Sequence, residues 1–256
     1  MQTLEDIVRD RILILDGAMG TMIQQYALTE EDFRGYRYRK TPGLMKGNND
    51  MLNITRPDVV SDIHRKYLEA GADIITTNTF SSQRISQADY HLEEAAREMA
   101  FAGARLARKA ADEFATADRP RFVAGSVGPT NKTCSMSPDV SNPAAREIDY
   151  LTLYDVYLEQ IEALVEGGVD AVLIETVFDT LNAKAAIDAT MEAERRSGKR
   201  LPIMLSITVS DLAGRTLSGQ TLEAVLASVS SYPLFSIGLN CSFGAPQMKP
   251  FLKELA

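Results

Sequence analysis

The sequence has 256 residues, 45% of them hydrophobic and 24% charged, a composition and length that allow one large hydrophobic core. Its net charge of -8 argues against nucleic acid or an anionic membrane as the main partner, because both attract clustered positive charge. Two cysteines cannot build a disulfide framework, no apolar run approaches the ~20 residues of a membrane span, and the N-terminus has no signal-peptide pattern, so we expect a cytoplasmic protein.

Short apolar runs alternate with amphipathic, helix-like stretches along the chain. The first run, Arg11–Leu15, predicts a buried parallel strand, and Asp16, Gly17 and Ala18 follow it directly. Asp16 suits a helix N-cap and a ligand contact equally well. The glycine after it allows a sharp turn that exposes backbone N–H groups.

Residues 26–56 form a long irregular stretch, and loops of this length in a compact domain are usually functional or disordered. Within it, Phe33–Lys40 mixes basic and aromatic residues. We favour a solvated loop whose aromatic rings pack down, rather than a phosphate or nucleic-acid contact, because the whole chain is acidic. Lys46–Asp50 suggests a turn that faces the site.

The next elements follow the pattern of a parallel α/β sheet. A helix is predicted over 57–70, then a strand over Asp73–Thr77 that ends at Asn78. A long Ala-rich helix over 89–115 precedes a third strand, Arg121–Ser126. Polar groups again stand where a strand ends.

The fourth strand, Ala171–Ile174, is followed by Glu175. A carboxylate at the end of a buried strand is costly to leave unpaired, so it implies a structural arginine or the amine of a ligand, and we favour the ligand. Asp179 or Thr180 is expected to cap the helix that runs to Ser197.

The fifth strand, Pro202–Ile207, is followed by a sixth, Phe235–Leu239, which stops at Asn240 and Cys241. A lone cysteine beside apolar residues is most often an inert buried thiol. Cys241 instead stands at the carboxyl end of a strand, where α/β proteins place their chemistry.

Polar residues end five different predicted strands, and this dispersal decides between two architectures. An open doubly wound sheet gathers its ligand groups at one switch point, whereas a (β/α)8 barrel gathers them around a ring. We therefore predict an α/β fold of the (β/α)8 TIM-barrel type, truncated after about six βα units. The exposed edges of its sheet would then favour aggregation or oligomerisation.

Several segments taken together resemble the homocysteine-binding domain of the cobalamin-dependent methionine synthases, in order and over essentially the whole chain, residues 1–256. They are Asp16-Gly-Ala-Met-Gly-Thr-Met22, Gly71-Ala-Asp-Ile-Ile-Thr-Thr-Asn-Thr-Phe80, Gly128-Pro-Thr130, Ile174-Glu-Thr-Val-Phe-Asp-Thr-Leu-Asn182, Gly214-Arg-Thr-Leu-Ser-Gly-Gln-Thr221 and Gly238-Leu-Asn-Cys241. Phe33-Arg-Gly35 followed by Lys46-Gly-Asn-Asn-Asp50 is similar to methionine synthases in particular.

The resemblance implies a zinc ion held by three cysteine thiolates. Cys241 matches the first of them, and the other two belong to a Gly-Gly-Cys-Cys-Gly motif expected beyond residue 256. Cys134 matches no ligand of the family. A thiol with a reference pKa near ~8.5 is mostly protonated at neutral pH, and zinc coordination deprotonates it. The activated homocysteine would take the methyl group of methylcobalamin, ultimately from methyltetrahydrofolate, to give methionine.

The resemblance also implies the partners and the substrate contacts. Cobalamin and folate would bind modules absent from this chain. Homocysteine would meet Glu175 through its amine, the Gly17–Ala18 backbone through its carboxylate, and a polar ring completed by Asp16, Asn78 and Asn240. Two alternatives stay open: a zinc-free, non-catalytic folded fragment, and an open-sheet enzyme in which Cys241 is inert. For the isolated chain we expect no methyl transfer.

Overall fold

The computed structural model describes residues 3–241 and 243–256. The chain alternates helices with five strands. The helices are α1 (Leu4–Asp10), α2 (Met19–Gln24), α3 (Glu30–Arg34), α4 (Leu52–Thr55), α5 (Pro57–Ala70), α6 (Arg84–Gln87), α7 (Ala96–Phe114), α8 (Tyr150–Gly167), α9 (Thr180–Ser197), α10 (Leu222–Val229) and α11 (Ala245–Leu255). The strands are β1 (Ile74–Thr76), β2 (Phe122–Val127), β3 (Ala171–Val177), β4 (Ile203–Ile207) and β5 (Leu234–Leu239).

The five strands form one sheet in the order β1-β2-β3-β4-β5. The strand pairs β1/β2, β3/β4 and β4/β5 are parallel. β2 is buried along its whole length, as a strand covered on both faces should be. The predicted α/β class is confirmed, and a parallel sheet with helical crossovers in this order is compatible with part of a TIM-type barrel.

The chain divides into two compact units. The first comprises Met1–Ser126 with Glu159–Ala171, and the second comprises Val127–Leu158 with Val172–Ala256. Among the helices of the described residues, none is long and apolar enough to cross a membrane.

Several helix ends follow from the local sequence. Helix α5 begins with Pro57 at its first turn and ends at Gly71, whose φ of 109° lies in the left-handed region open to glycine. Asp179 caps α9 by accepting from the amides of Leu181 and Asn182. Thr221 caps α10 by accepting from the amide of Ala224.

The first predicted strand is wrong. Residues 11–15 make a single parallel bridge, Leu15 to Ile74, and no strand. The carbonyl of Ile14 accepts from the amides of Asp73 and Ile74, so the segment lies beside β1. Its apolar side chains are not covered, however, and Ile12 is 83% exposed. An apolar run marks a buried strand only when neighbours cover it on both faces.

The long helix predicted over 89–115 begins later, at Ala96. Before it lie α6 and two short 3-10 turns, Ala88–Tyr90 and Glu93–Ala95. His91 separates the turns with a left-handed φ of 56°, a conformation that an α-helix cannot continue through.

The stretch over residues 26–56 is ordered and supplies much of the core of the first unit. Phe33, Met45 and Leu52 are buried there. The Glu30 carboxylate accepts from the amides of Met45 and Lys46, and so closes the loop onto α3. The aromatic residues of the segment Phe33–Lys40 differ in burial. Phe33 and Tyr38 pack into the core as predicted, whereas Tyr36 is 80% exposed.

Helix α5 carries a histidine in its buried face. His64 is fully buried, and neither ring nitrogen has a hydrogen-bond partner among the described residues. Burial lowers the pKa of His64 from 6.5 to about 4, because the charged ring would lose its hydration. Between pH 6.5 and about 4, the folded protein therefore keeps the His64 ring neutral, whereas the unfolded chain would bind a proton on it.

We expect this ring to make the fold sensitive to acid. Stability linked to His64 is complete above pH 6.5 and is lost as the pH falls toward 4, by about 3 kcal/mol in all at about 1.4 kcal/mol per pH unit. Urea unfolding between pH 7.5 and pH 4.5 measures this loss. His64→Leu should flatten the pH dependence, and His91→Asn, at an exposed histidine, should leave it unchanged. Equal slopes in both variants would contradict the assignment.

Candidate active site

The carboxyl end of β3 carries a β-bulge at Glu175 and Thr176. Ile174 pairs with Leu205 and Val177 pairs with Ile207, so two residues of β3 stand opposite one residue of β4. Thr176 takes a left-handed φ of 60°, which is strained for a β-branched residue. The prediction that the strand stops at Ile174 is therefore wrong, since β3 runs to Val177. Bulges beside sites commonly redirect a side chain, here that of Glu175.

Glu175 lines a small cavity in the second unit. The cavity walls come from the turn after β2, from α8, from the end of β3 and from the start of α9; they include Gly128, Pro129, Tyr157, Phe178, Asp179 and Asn182. Glu175 is half-buried there. The cavity therefore combines aromatic and apolar walls with a carboxylate.

Cys241 follows β5 and is exposed. Its φ of 64° is left-handed, a second strained residue at a strand end. The Asn240 side-chain amide donates to the Cys241 sulfur at 3.2 Å. The thiol is thus accessible and held by a hydrogen bond, and it is not the inert buried thiol that a lone cysteine suggests.

Cys134 is the buried thiol of the pair. It is 6% exposed, its amide donates to Asn182 Oδ1 at 2.9 Å, and its carbonyl accepts from Arg146. Burial raises the pKa of the Cys134 thiol, so it stays protonated. The structure gives Cys134 a packing role.

Asn240 connects the ends of three strands in the second unit. Its Oδ1 accepts from the Thr176 amide at 3.1 Å and from the Ser206 hydroxyl at 2.8 Å. Its Nδ2 donates to Thr176 Oγ1 at 2.9 Å and to the Cys241 sulfur. Asn240 thereby brings Cys241 together with the bulge that carries Glu175. Sequence reasoning identified Asn240 but missed Thr176, because the pairing joins residues far apart in the chain.

The loop after β2 is fastened to the start of α9. Asp179, besides capping the helix, accepts from the amide and hydroxyl of Ser135. Asn182 donates to the carbonyl of Lys132 at 3.0 Å and to Thr130 Oγ1 at 3.5 Å. The Gly128–Thr130 turn recognised in the sequence is therefore held at the cavity by α9.

In the first unit, Asp16 binds β1 and does not cap a helix. Its carboxylate accepts from the amide of Thr76 at 2.8 Å and from its hydroxyl at 3.0 Å. The N-cap of α2 is Ala18, without a side-chain hydrogen bond, so the capping interpretation of Asp16 is wrong.

Gly17 lies close against the ring of Tyr67. A Cβ there would meet the Tyr67 hydroxyl at 2.9 Å, so a side chain at this position requires the tyrosine ring to shift. The same hydroxyl donates to the carbonyl of Ala18 at 3.2 Å. The turn after Asp16 is thus packed under a tyrosine ring.

Asn78 lies at the carboxyl end of β1, as predicted, and is buried. Its side-chain amide donates to the carbonyl of Asn49 at 2.8 Å and to Asn53 Oδ1 at 3.2 Å. The Lys46–Asp50 turn is thereby tied to the strand end, as the sequence suggested. Asn53 was missed, because it lies within a short helix and outside any strand-end pattern.

The described residues do not form a complete metal centre. Over residues 3–241 and 243–256, no group of three or more His, Cys, Asp or Glu side chains is arranged to hold an ion. The exposed Cys241 sulfur fits as one zinc ligand, whereas a zinc site in a protein uses at least three.

We expect Asp179→Ala to lower the free energy of unfolding by about 1–2 kcal/mol through loss of the α9 cap. It should also free the loop at Ser135, seen as faster amide hydrogen exchange over residues 130–135. Thr221→Ala removes the comparable cap of α10 without touching that loop, so it is the matched control. Loop exchange that is the same in both variants would show that Asp179 does not hold the loop.

Comparison with known proteins gives the family. The protein-family model described as homocysteine S-methyltransferase matches residues 13–256 of this chain. The homocysteine methyltransferase MmuM of Escherichia coli has a similar structure: its metallated form has a TM-score of 0.75 at 21% identity over 98% of this chain and 82% of that chain. Its oxidized form has a TM-score of 0.71 at 23% identity over 94% and 77%. Such identities show the fold alone. Because the family model spans nearly the whole chain, this protein belongs to the homocysteine S-methyltransferase family.

Proposed function

We propose that residues 1–256 belong to the homocysteine-binding domain of a cobalamin-dependent methionine synthase. The domain would bind homocysteine and present its sulfur to methylcobalamin, whose methyl group derives from methyltetrahydrofolate, to give methionine. The observation that carries the proposal is the joining of Cys241 and the Glu175 bulge by Asn240 in a chain of this family. The Phe33–Gly35 and Lys46–Asp50 segments favour the methionine synthases within it.

The substrate would be held at its two ends by different groups. Its sulfur would lie at Cys241, the accessible thiol, and its amine at Glu175 in the apolar-walled cavity. Fixing both ends of a flexible amino acid before reaction removes much of the entropy barrier to transfer. Asp16, the Gly17–Ala18 backbone and Asn78 are proposed as the remaining polar contacts.

In the proposed transfer, the homocysteine sulfur would form its bond to the methyl carbon as the carbon's bond to the donor breaks. The donor would keep the electron pair of that bond, and the thiol proton would leave for solvent. Zinc, when bound, would lower the pKa of the homocysteine thiol, so that the substrate binds as the thiolate. Cys241 would be one of three thiolate ligands, with two further cysteines from the chain beyond Ala256. The described residues supply one of these three ligands, the Cys241 sulfur.

The cobalamin and folate modules would lie elsewhere in the whole protein. We place that protein in the reducing cytoplasm because Cys134 and Cys241 are free thiols. The alternative of an open-sheet enzyme is disfavoured by the family match. A zinc-free, non-catalytic fragment is favoured by one observation, the incomplete ligand set among the described residues. Metal and homocysteine binding by residues 1–256 themselves separates the binding module from the zinc-free fragment.

We expect Glu175→Gln to weaken homocysteine binding at least tenfold in the protein that carries the complete domain, because the neutral amide cannot pair with the substrate ammonium group. Isothermal calorimetry measures the effect. Glu192→Gln, at a helix glutamate paired with Arg195 and Arg196, is the matched control and should bind normally. Unchanged affinity in Glu175→Gln would remove Glu175 from the site.

In the same protein, Cys241→Ala should lose most of its zinc, because two thiolates hold the ion far more weakly than three. Metal content after dialysis, determined by mass spectrometry, gives the stoichiometry. Cys134→Ala removes the buried thiol and should retain one zinc per chain. Full zinc content in Cys241→Ala would overturn the assignment of Cys241 as a zinc ligand, and a wild type without zinc would favour the zinc-free alternative.

A further inference from the structure

Two strained residues in the second unit share one hydrogen-bonding partner. Thr176 and Cys241 both have left-handed φ angles, 60° and 64°, although neither is glycine. Such conformations are unfavourable for residues other than glycine and persist only where the surroundings fix them. Asn240 bonds to both residues.

The hydrogen bonds of Asn240 require both halves of its amide. The oxygen accepts from the Thr176 backbone and the Ser206 hydroxyl, while the nitrogen donates to Thr176 Oγ1 and to the Cys241 sulfur. An aspartate of the same shape keeps the acceptor and has no N–H to donate. A glutamine is longer by one methylene, and a serine is too short. Asparagine alone satisfies this arrangement.

The arrangement links two ends of the proposed substrate site. Thr176 forms the β3 bulge with Glu175, so the position of the Glu175 carboxylate depends on the Thr176 backbone. Cys241 is the next residue after Asn240, and its sulfur accepts from the same side chain. A displacement at either end therefore reaches the other through one amide group.

We infer that Asn240 is a positioning residue that couples the Cys241 sulfur to the Glu175-bearing bulge, so that the sulfur end and the amine end of homocysteine are set together. This replaces our expectation of Asn240 as a substrate contact. Its effect on substrate rests on the proposed function, whereas the coupling itself is a property of the strand ends.

The coupling can be measured without substrate. Iodoacetamide alkylates the exposed Cys241 and spares the buried Cys134, which peptide mapping verifies. The added group converts the thiol into a bulkier thioether and so displaces the Asn240 amide that donates to the sulfur. We expect exchange of the Thr176 amide to accelerate at least fivefold in the wild type, because its acceptor Asn240 is displaced. Amides within α9 provide the internal reference.

Two variants separate coupling from simple support. In Asn240→Ala the Thr176 amide should exchange fast before alkylation and show no further change. In Asn240→Asp it should stay protected and not respond to alkylation, because the acceptor remains and the donor to sulfur is gone. Thr190→Val, a buried isosteric change within α9, should respond as the wild type does.

Alkylation that leaves Thr176 exchange unchanged in the wild type would overturn the inference, as would an Asn240→Asp protein that still responds to it. A second arm measures homocysteine binding by the complete domain, where Asn240→Asp should weaken binding at least tenfold. Absence of homocysteine binding by the wild type would refute the proposed function and leave the exchange result to decide the coupling.

Discussion

Polar side chains at the ends of buried strands lose water and must find hydrogen-bonding partners within the protein. In the second unit Asn240 meets this constraint for three strands. Its one amide group bonds to Thr176 in β3, to Ser206 in β4 and to Cys241 after β5. In the first unit the Asp16 carboxylate bonds to Thr76, and Asn78 bonds to Asn49 and Asn53. Within each unit, the polar side chains at the strand ends are thus already oriented by their hydrogen-bonding partners.

This organisation explains why strain collects at the strand ends. A left-handed Thr176 and a left-handed Cys241 are unfavourable alone, and both are tolerated because Asn240 bonds to them. The bulge that strains Thr176 also sets Glu175 at a cavity with apolar walls. Preorganised polar groups of this kind need little rearrangement when a substrate binds, which is the usual source of catalytic advantage in a fixed site.

Local signals in the sequence predicted the features that local physics controls. The glycine stop at Gly71 and the caps at Asp179 and Thr221 follow from residues adjacent in the chain. The bulge at Glu175 could not be predicted, because it depends on the register between β3 and β4. The failure at Arg11–Leu15 has a similar cause, since an apolar run does not reveal how many neighbours cover it.

The candidate site shows the same division. Its residues were proposed because each follows an apolar run in the sequence. Their partners were not found, because Tyr67 over Gly17 and Thr176 beside Asn240 are contacts between distant segments. His64 is buried and has no hydrogen-bond partner within the described part of the chain, yet the helix pattern places it equally well on a surface.

The central claim is that the sulfur of a homocysteine ligand is recognised at Cys241 and its amino acid end elsewhere. Calorimetric binding of L-homocysteine and L-homoserine to the protein carrying the complete domain tests it most directly, because the two ligands differ only in sulfur against oxygen. We expect homocysteine to bind at least tenfold more tightly, and Cys241→Ala to abolish that preference while both ligands still bind weakly. Equal affinity of the wild type for the two ligands, or an undiminished preference in Cys241→Ala, would contradict the claim.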